Sequence, residues 1–212
     1  MSSTMQNKAS LPVIKRLPKY YRYLSNLQAD GRDKISSSEL ARMMGTTASQ
    51  VRQDFNCFGG FGQQGYGYNV SNLTGEIKRI MGIDRKHTII IVGAGNIGHA
   101  LTNFPGFAET GFEVKALFDV NEDLIGTEIK GHPVLDVKDM DEYIRENQID
   151  IGVIAARRSA AQEIADRMCA AGIRGIWNFV PLDITTSVPI ENVHLSESLS
   201  TLSYKIEHGL LD

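Results

Sequence analysis

Disulfide chemistry is the first thing this sequence excludes. It holds only two cysteines, Cys57 and Cys169, far apart and without a C-x-x-C partner. That usage suits a reducing cytoplasm and leaves no disulfide framework or thiolate zinc site to build. The five histidines, His87, His99, His132, His194 and His208, lack ligand spacing, so no metal is expected. No apolar stretch is long enough to span a membrane, and there is no signal peptide or low-complexity tail, so no membrane partner is expected. Acid/base equipment is missing too. No Tyr-x-x-x-Lys pair occurs, and no His–Asp or Cys–His pair stands out, so no catalytic residue is nominated.

Positive charge is scarce in one part of the chain and abundant in the other. The net charge of −3 divides into +6 over residues 1–85, with 12 Lys/Arg and 6 Asp/Glu, and −9 over residues 86–212, with 10 and 19. A basic first segment on an acidic second one suggests that the first faces a polyanion.

The most informative stretch is Thr88 to Leu101. Ile89, Ile90, Ile91 and Val92 form the short apolar run of a parallel strand covered on both faces. Gly93, Gly95 and Gly98 follow in G-x-G-x-x-G spacing, with Ala94, Asn96 and Ile97 between them. In the dinucleotide fingerprint the first glycine allows the tight turn, the second admits a pyrophosphate to the backbone, and the third lets the helix pack on the strand. The helix start adds free N–H groups. A second apolar strand, Phe112 to Phe118, ends in Asp119, about 20 residues further on, where an acid is expected to take the ribose hydroxyls and repel the 2′-phosphate of NADP. Further strands are expected at Asp150–Ala155 and Arg174–Asn178, with a short last one at Val193 and Leu195. Helices are expected at Asp139–Asn147 and Ser159–Ala171, and a loop from Gly126 to Pro133. This alternation predicts a doubly wound parallel sheet whose ligand lies near Gly95, Asp119, Ala156 and Asn178.

Ahead of that sheet, helical spacing starts near Val13 and runs to about Leu27, with Ile14, Leu17, Tyr21 and Leu24 as its apolar side and Pro18 as a kink or restart. Lys15 and Arg16 belong to its basic face. Ser36 and Glu39 have capping-box spacing for a short helix that Gly45 ends, and Thr46 or Thr47 caps the next, roughly Ala48 to Phe58. Two helices about a short glycine turn read as a helix-turn-helix. On the second, Val51, Phe55 and Phe58 face inward and Ser49, Gln50, Arg52, Gln53 and Asn56 outward. Arg, Gln and Asn are the residues that pair with base edges in a major groove. The glycine- and aromatic-rich run Phe58 to Val70 reads as a hairpin wing turning near Gln63 and Gln64, followed by a helix with Leu73, Ile77, Ile80 and Met81. At the other end, Leu195, Leu199, Leu202, Ile206 and Leu210 give a terminal helix one apolar stripe, suited to exchange in a homodimer.

Taken together, several runs resemble the Rex family of redox-sensing repressors. They are Arg16-Leu-Pro-Lys-Tyr-Tyr-Arg22, Ile35-Ser-Ser with Glu39-Leu-Ala, Val51-Arg-Gln-Asp-Phe55, Phe58-Gly-Gly-Phe-Gly, Gly65-Tyr-Gly-Tyr-Asn-Val70, Gly93-Ala-Gly-Asn-Ile-Gly98, Gly106-Phe, Ala161-Gln, and Gly172 to Pro181. The resemblance spans about Pro12 to Ile206. It implies a homodimer whose winged helices bind a palindromic double-stranded operator and whose Rossmann domains bind NADH or NAD⁺, NADH releasing the DNA. It places Arg52 on bases, Gln63 and Gln64 at the wing tip, the three glycines on the pyrophosphate, Asp119 on the adenosine ribose, and Asn178 and Phe179 beside the nicotinamide. Departures are Gln53 and the Gln63-Gln64 tip in place of basic residues, Arg157 for a proline, Phe104 for a tyrosine near the nicotinamide, and His194 for an aspartate.

The expected division is therefore 1–85 as a winged-helix DNA-binding domain, 86–195 as a Rossmann NAD(H) domain, and 196–212 as a dimerisation helix. The competing reading is an NAD-dependent oxidoreductase with an N-terminal accessory domain. It lacks acid/base residues and a stretch of chain for a substrate domain. A thiol sensor using Cys57 or Cys169 ranks below both, since isolated cysteines are usually packing residues.

Overall fold

The computed structural model describes residues 9–61 and 67–210, and it divides into two compact units at Arg85/Lys86. Gln63 and Gln64, the expected wing tip, lie outside the described residues.

In the first unit, α1 (Leu11–Ala29) runs through Pro18 without a break. Its buried side is Val13, Leu17, Tyr20, Leu24 and Leu27, while Ile14 is 48% exposed, so the face is rotated from the expected one. The reason is polar: the Tyr20 hydroxyl donates to buried Asp54 at 2.8 Å, which fixes which side turns inward. After the short strand β1 (Lys34–Ile35) comes α2 (Ser37–Met44), with both halves of the capping box formed. The Glu39 amide donates to Ser36 Oγ at 3.1 Å and the Ser36 amide to Glu39 Oε2 at 3.0 Å. Gly45 ends α2, and Thr47 caps α3 (Ala48–Asn56), which stops two residues before Phe58. Strand β2 (Tyr68–Asn69) pairs antiparallel with β1, Ile35 opposite Tyr68. Its partner therefore precedes the helix pair instead of following it, which the glycine-rich run alone did not suggest. Helix α4 (Val70–Ile80), capped by Asn69, completes the unit by burying Val70, Leu73 and Ile77.

Beneath α3 lies a polar knot. Asp54 is fully buried and takes two bonds from Arg16 (Nε 2.6 Å, a terminal nitrogen 2.7 Å), one from Tyr20 and one from Gln50 Nε2 at 2.8 Å. The Tyr20 and Phe55 rings close over it at 4.8 Å between centroids.

The second unit is a seven-stranded sheet. Its elements are β3 (His87–Val92), α5 (Asn96–Thr102), α6 (Gly106–Glu109), β4 (Phe112–Asp119), β5 (Glu128–Ile129), β6 (His132–Asp136), α7 (Met140–Asn147), β7 (Ile151–Ile154), α8 (Ala161–Ala171), β8 (Gly175–Asn178), β9 (Ile190–Asn192) and α9 (Leu195–Glu207). The order is β5-β6-β4-β3-β7-β8-β9, all parallel except β5 against β6. Without β5 this is the 3-2-1-4-5-6 doubly wound order, whose direction reverses between β3 and β7. The expected Gly126–Pro133 loop carries β5 and the start of β6. The last strand lies at Ile190–Asn192, so Leu195 opens α9 instead of ending the sheet. Two apolar layers enclose the sheet, one around Ile90, Phe118, Ile154 and Met168, the other around Ile89, Leu117, Phe107 and Val153.

Burial by itself would raise the Asp54 carboxyl, but bonds from Arg16, Gln50 and Tyr20 outweigh it and hold the group below the ordinary carboxylate value. A carboxyl held low in the folded state stabilises above its unfolded pKa, and that contribution fades as pH falls through the folded value. Asp54→Asn should therefore cost about 3 kcal/mol near neutral pH. It should also flatten the loss of stability below about pH 4. Denaturant unfolding followed across pH checks both, and unchanged stability would show that the knot does not hold this unit.

Candidate functional site

The glycine loop sits where β3, β4 and β7 end. The Gly93 amide donates to the Phe118 carbonyl and the Ala155 amide to the Val92 carbonyl, each at 2.8 Å. Gly93 has φ +105°, and a methyl there would lie 2.4 Å from the Ala155 carbonyl oxygen, so no other residue fits. A methyl on Gly98 would lie 1.9 Å from the Gly93 carbonyl oxygen, so α5 lies directly against the turn. Gly95 is different: a methyl there would meet nothing within 4 Å. The space over Gly95 is open to a ligand, beside exposed Asn96 and Ile97. Ala94 is buried, its methyl belonging to the apolar layer.

Asp119 ends β4 beside this loop. Its Oδ2 accepts from the Ala94 amide at 2.7 Å, and Oδ1 from the amides of Val120 (2.8 Å) and Asn121 (2.9 Å). A carboxylate offers about four lone-pair sites. With three taken, the expected double grip on a ribose requires one backbone bond to yield.

Phe104, between α5 and α6, and Phe179, after β8 in the other half of the sheet, are joined through a row of rings. Phe104 to Phe107 measures 5.3 Å, Phe107 to Trp177 6.0 Å, and Trp177 to Phe179 4.5 Å. Phe104 is 55% exposed and Phe179 half-buried. Asn178 departs from expectation. It is fully buried, its Nδ2 donating to the Val180 and Leu182 carbonyls and to Asn192 Oδ1, and its Oδ1 accepting from the Val180 amide. Its side chain fixes the turn after β8 and is spent within the chain, so it is no ligand contact.

The outward side of α3 also needs correction. Ser49, Arg52, Gln53 and Asn56 are exposed, as is Lys15 on α1. Gln50 is half-buried and gives its amide to Asp54; Arg16 is held bidentately by the same carboxylate. Both serve the inside of the unit, because a buried carboxylate must be matched. Aspartate between a helix's inward positions was the available signal, and sequence reasoning passed over it. Arg52 donates to Ser37 Oγ at 3.0 Å, tying this exposed arginine to the start of α2. Among the described residues, no group of three or more His, Cys, Asp or Glu could hold a metal, and no helix is long and apolar enough to cross a membrane.

Known proteins match both units. A family model described as "Putative DNA-binding protein N-terminus" matches residues 8–56, and one described as "CoA binding domain" matches 84–182. The redox-sensing transcriptional repressor Rex of Clostridioides difficile (strain 630) is 52% identical over 202 residues, 94% of this chain and 96% of that one. The chain belongs to the Rex family. Rex of Clostridium beijerinckii is 51% identical over the same shares of both chains. A crystal structure of RSP, a Rex-family repressor, in complex with β-NAD⁺ and operator DNA superimposes with TM-score 0.90 at 48% identity, covering 94% of this chain and 93% of that one. RSP with β-NADH gives 0.88 at 45%, covering 95% and 96%. Rex proteins are named as repressors, so the repressor reading stands and the oxidoreductase reading is set aside.

The glycines separate folding from binding. Gly98→Ala should destabilise the sheet unit by about 1–3 kcal/mol through overpacking. Gly95→Ala should stay within about 0.5 kcal/mol of wild type. It should nevertheless weaken a pyrophosphate-bearing ligand, because the methyl enters the open space. Thermal unfolding beside ligand titration checks the pair; equal stability loss in both would mean that Gly95 is packed and not open.

Proposed function

We propose that the chain represses transcription as a homodimer on a palindromic operator and is released by NADH, with NAD⁺ competing for the same site. The observation that carries this is an identity near one half to Rex repressors, running through both units. Residues 1–85 are the DNA-binding domain, 86–195 the NAD(H) domain and 196–212 the dimerisation helix, in a cytoplasmic protein. Ser49, Arg52, Gln53 and Asn56 read or border the bases, Lys15 meets the backbone, and Gln63 and Gln64 form the wing tip.

The site fits a dinucleotide on its own geometry: the open space over Gly95 receives the pyrophosphate, and Asp119, beside it, receives the adenosine ribose and disfavours NADPH. Nicotinamide lies towards Phe104 and Phe179. That ring is cationic in NAD⁺ and neutral in NADH, and an apolar surround favours the neutral form. Dimerisation is supported by α9, which buries no residue: Leu195, Leu199, Leu202 and Ile206 are each more than half exposed, as is Leu210 just beyond the end of the helix. Covering such side chains yields about 1.5–3 kcal/mol apiece.

Operator binding titrated separately with NADH, NAD⁺ and NADPH tests the reading, with NADH expected to lower affinity most and NADPH least. A wild-type protein that responds equally to NADH and NADPH would remove the Asp119 assignment. Arg52→Ala should cost about 1–3 kcal/mol and relax preference at one base pair per half-site, leaving cofactor affinity unchanged. Deleting residues 196–212 should give a monomer without the NADH response, whose coupling is expected at about 1–3 kcal/mol. A truncated protein that stays dimeric and still releases DNA with NADH would move the coupling elsewhere.

A further inference from the structure

The second half of the sheet carries charge that its own fold does not use. Strand β7 ends at Ile154, and Ala155 and Ala156 then lie against the glycine turn, 2.4 Å (carbonyl oxygen) and 2.9 Å (nitrogen) from where a methyl on Gly93 would be. The next two residues, Arg157 and Arg158, are exposed. Among the described residues neither guanidinium has a hydrogen-bond or ion-pair partner. Carboxylates are not in short supply, since residues 86–212 hold 19 acids against 10 bases. Lys115, Lys138, Arg167 and Arg174 each find one, whereas Lys86, Lys130 and Arg145, like the two arginines, form no ion pair among the described residues. What sets the two arginines apart is their place in the chain: they are unpaired cations directly after the strand end that meets the glycine turn, in a unit of net negative charge.

Their side of the crevice matters. Each half of a doubly wound sheet takes one nucleotide of a dinucleotide. The half built from β3, β4 and β6 ends in Asp119 and is the adenosine side; β7, β8 and β9 form the nicotinamide side. Arg157 still has the extended backbone of the strand end (φ −68°, ψ 143°), whereas Arg158 already begins the turn into α8. The two redox forms share every group except the ring, which is cationic in NAD⁺ and neutral in NADH.

We infer that Arg157 is a redox-state specificity residue: its charge opposes the cationic ring of NAD⁺ and is indifferent to the neutral ring of NADH. The inference rests on the dinucleotide reading proposed above. An exposed unit charge acting over about 8 Å at low salt, where screening is weak, is worth roughly two- to sixfold in affinity for effective dielectric constants between about 80 and 40; at physiological salt, where the Debye length is also about 8 Å, it falls below about twofold.

The test is calorimetric titration of the full chain with NAD⁺ and with NADH, at low and at physiological salt, for wild type, R157Q and R157K. At low salt R157Q should bind NAD⁺ roughly two- to sixfold more tightly with NADH affinity unchanged, and physiological salt should shrink the difference to below about twofold. R157K, which keeps the charge, should keep the wild-type preference. An unchanged NAD⁺/NADH ratio in R157Q at low salt overturns the inference while leaving the dinucleotide reading intact. Equal weakening of both forms also overturns it, by assigning Arg157 to the shared pyrophosphate. A wild-type protein that binds neither dinucleotide removes the reading and the inference together.

Discussion

The sheet unit depends on one steric constraint at the carboxyl end of β3. Three backbones meet there in a space that has no room for a methyl group: the Gly93 turn, the Ala155 carbonyl after β7, and the first turn of α5 at Gly98. Because β3 is central, this contact sets where its neighbours stop. The Phe118 carbonyl reaches the Gly93 amide, so β4 ends with Asp119 beside the loop, and the Ala94 amide then orients that carboxylate. The crevice at the switch point is what remains above the contact, and only Gly95 leaves its share open. Tight packing below and open space above come from glycines two and three positions apart.

The first unit solves a different problem. A helix meant to show polar residues to a partner must still be fixed from beneath, and α3 is fixed by a charge. Burying Asp54 is favourable only with full compensation, and Arg16, Tyr20 and Gln50 supply it. The knot therefore removes Gln50 from the polar face of α3 and Arg16 from the basic face of α1, and holds the remaining residues of α3 in place. Arg52, tied to Ser37, is further restrained, which would lower the entropy lost in the base contact proposed for it.

Sequence reasoning reached the architecture because its signals are local. The apolar run Ile89–Val92, the glycine spacing, the capping box and the terminal leucine stripe each determine structure within a few residues. What it misread was decided by partners distant in the chain. The face of α1 turns on Tyr20 meeting Asp54, 34 positions away. Gln50 and Arg16 look like surface polar residues until that carboxylate is found buried. Asn178 is a nearer case: it lies at a strand end where ligands bind, and hydrogen bonds to Val180 and Leu182, two and four residues on, and to Asn192 occupy its side chain. The two-residue strands β1, β2 and β5 are too short for any periodicity to register, and their pairing alone defines them.

A sensor also needs an element that can change state without unfolding its domain. Both cores here are closed without α9: no residue of that helix is buried, whereas Phe118, Leu117, Phe55 and Leu24 are all 1% exposed or less. The association proposed for α9 would therefore be energetically separate from the folding of either unit. A ligand can shift an equilibrium only by its differential affinity for the two states, typically a few kcal/mol, which is small beside a closed core but comparable to one or two covered leucines. An apolar stripe outside both cores matches the size of the signal proposed for it.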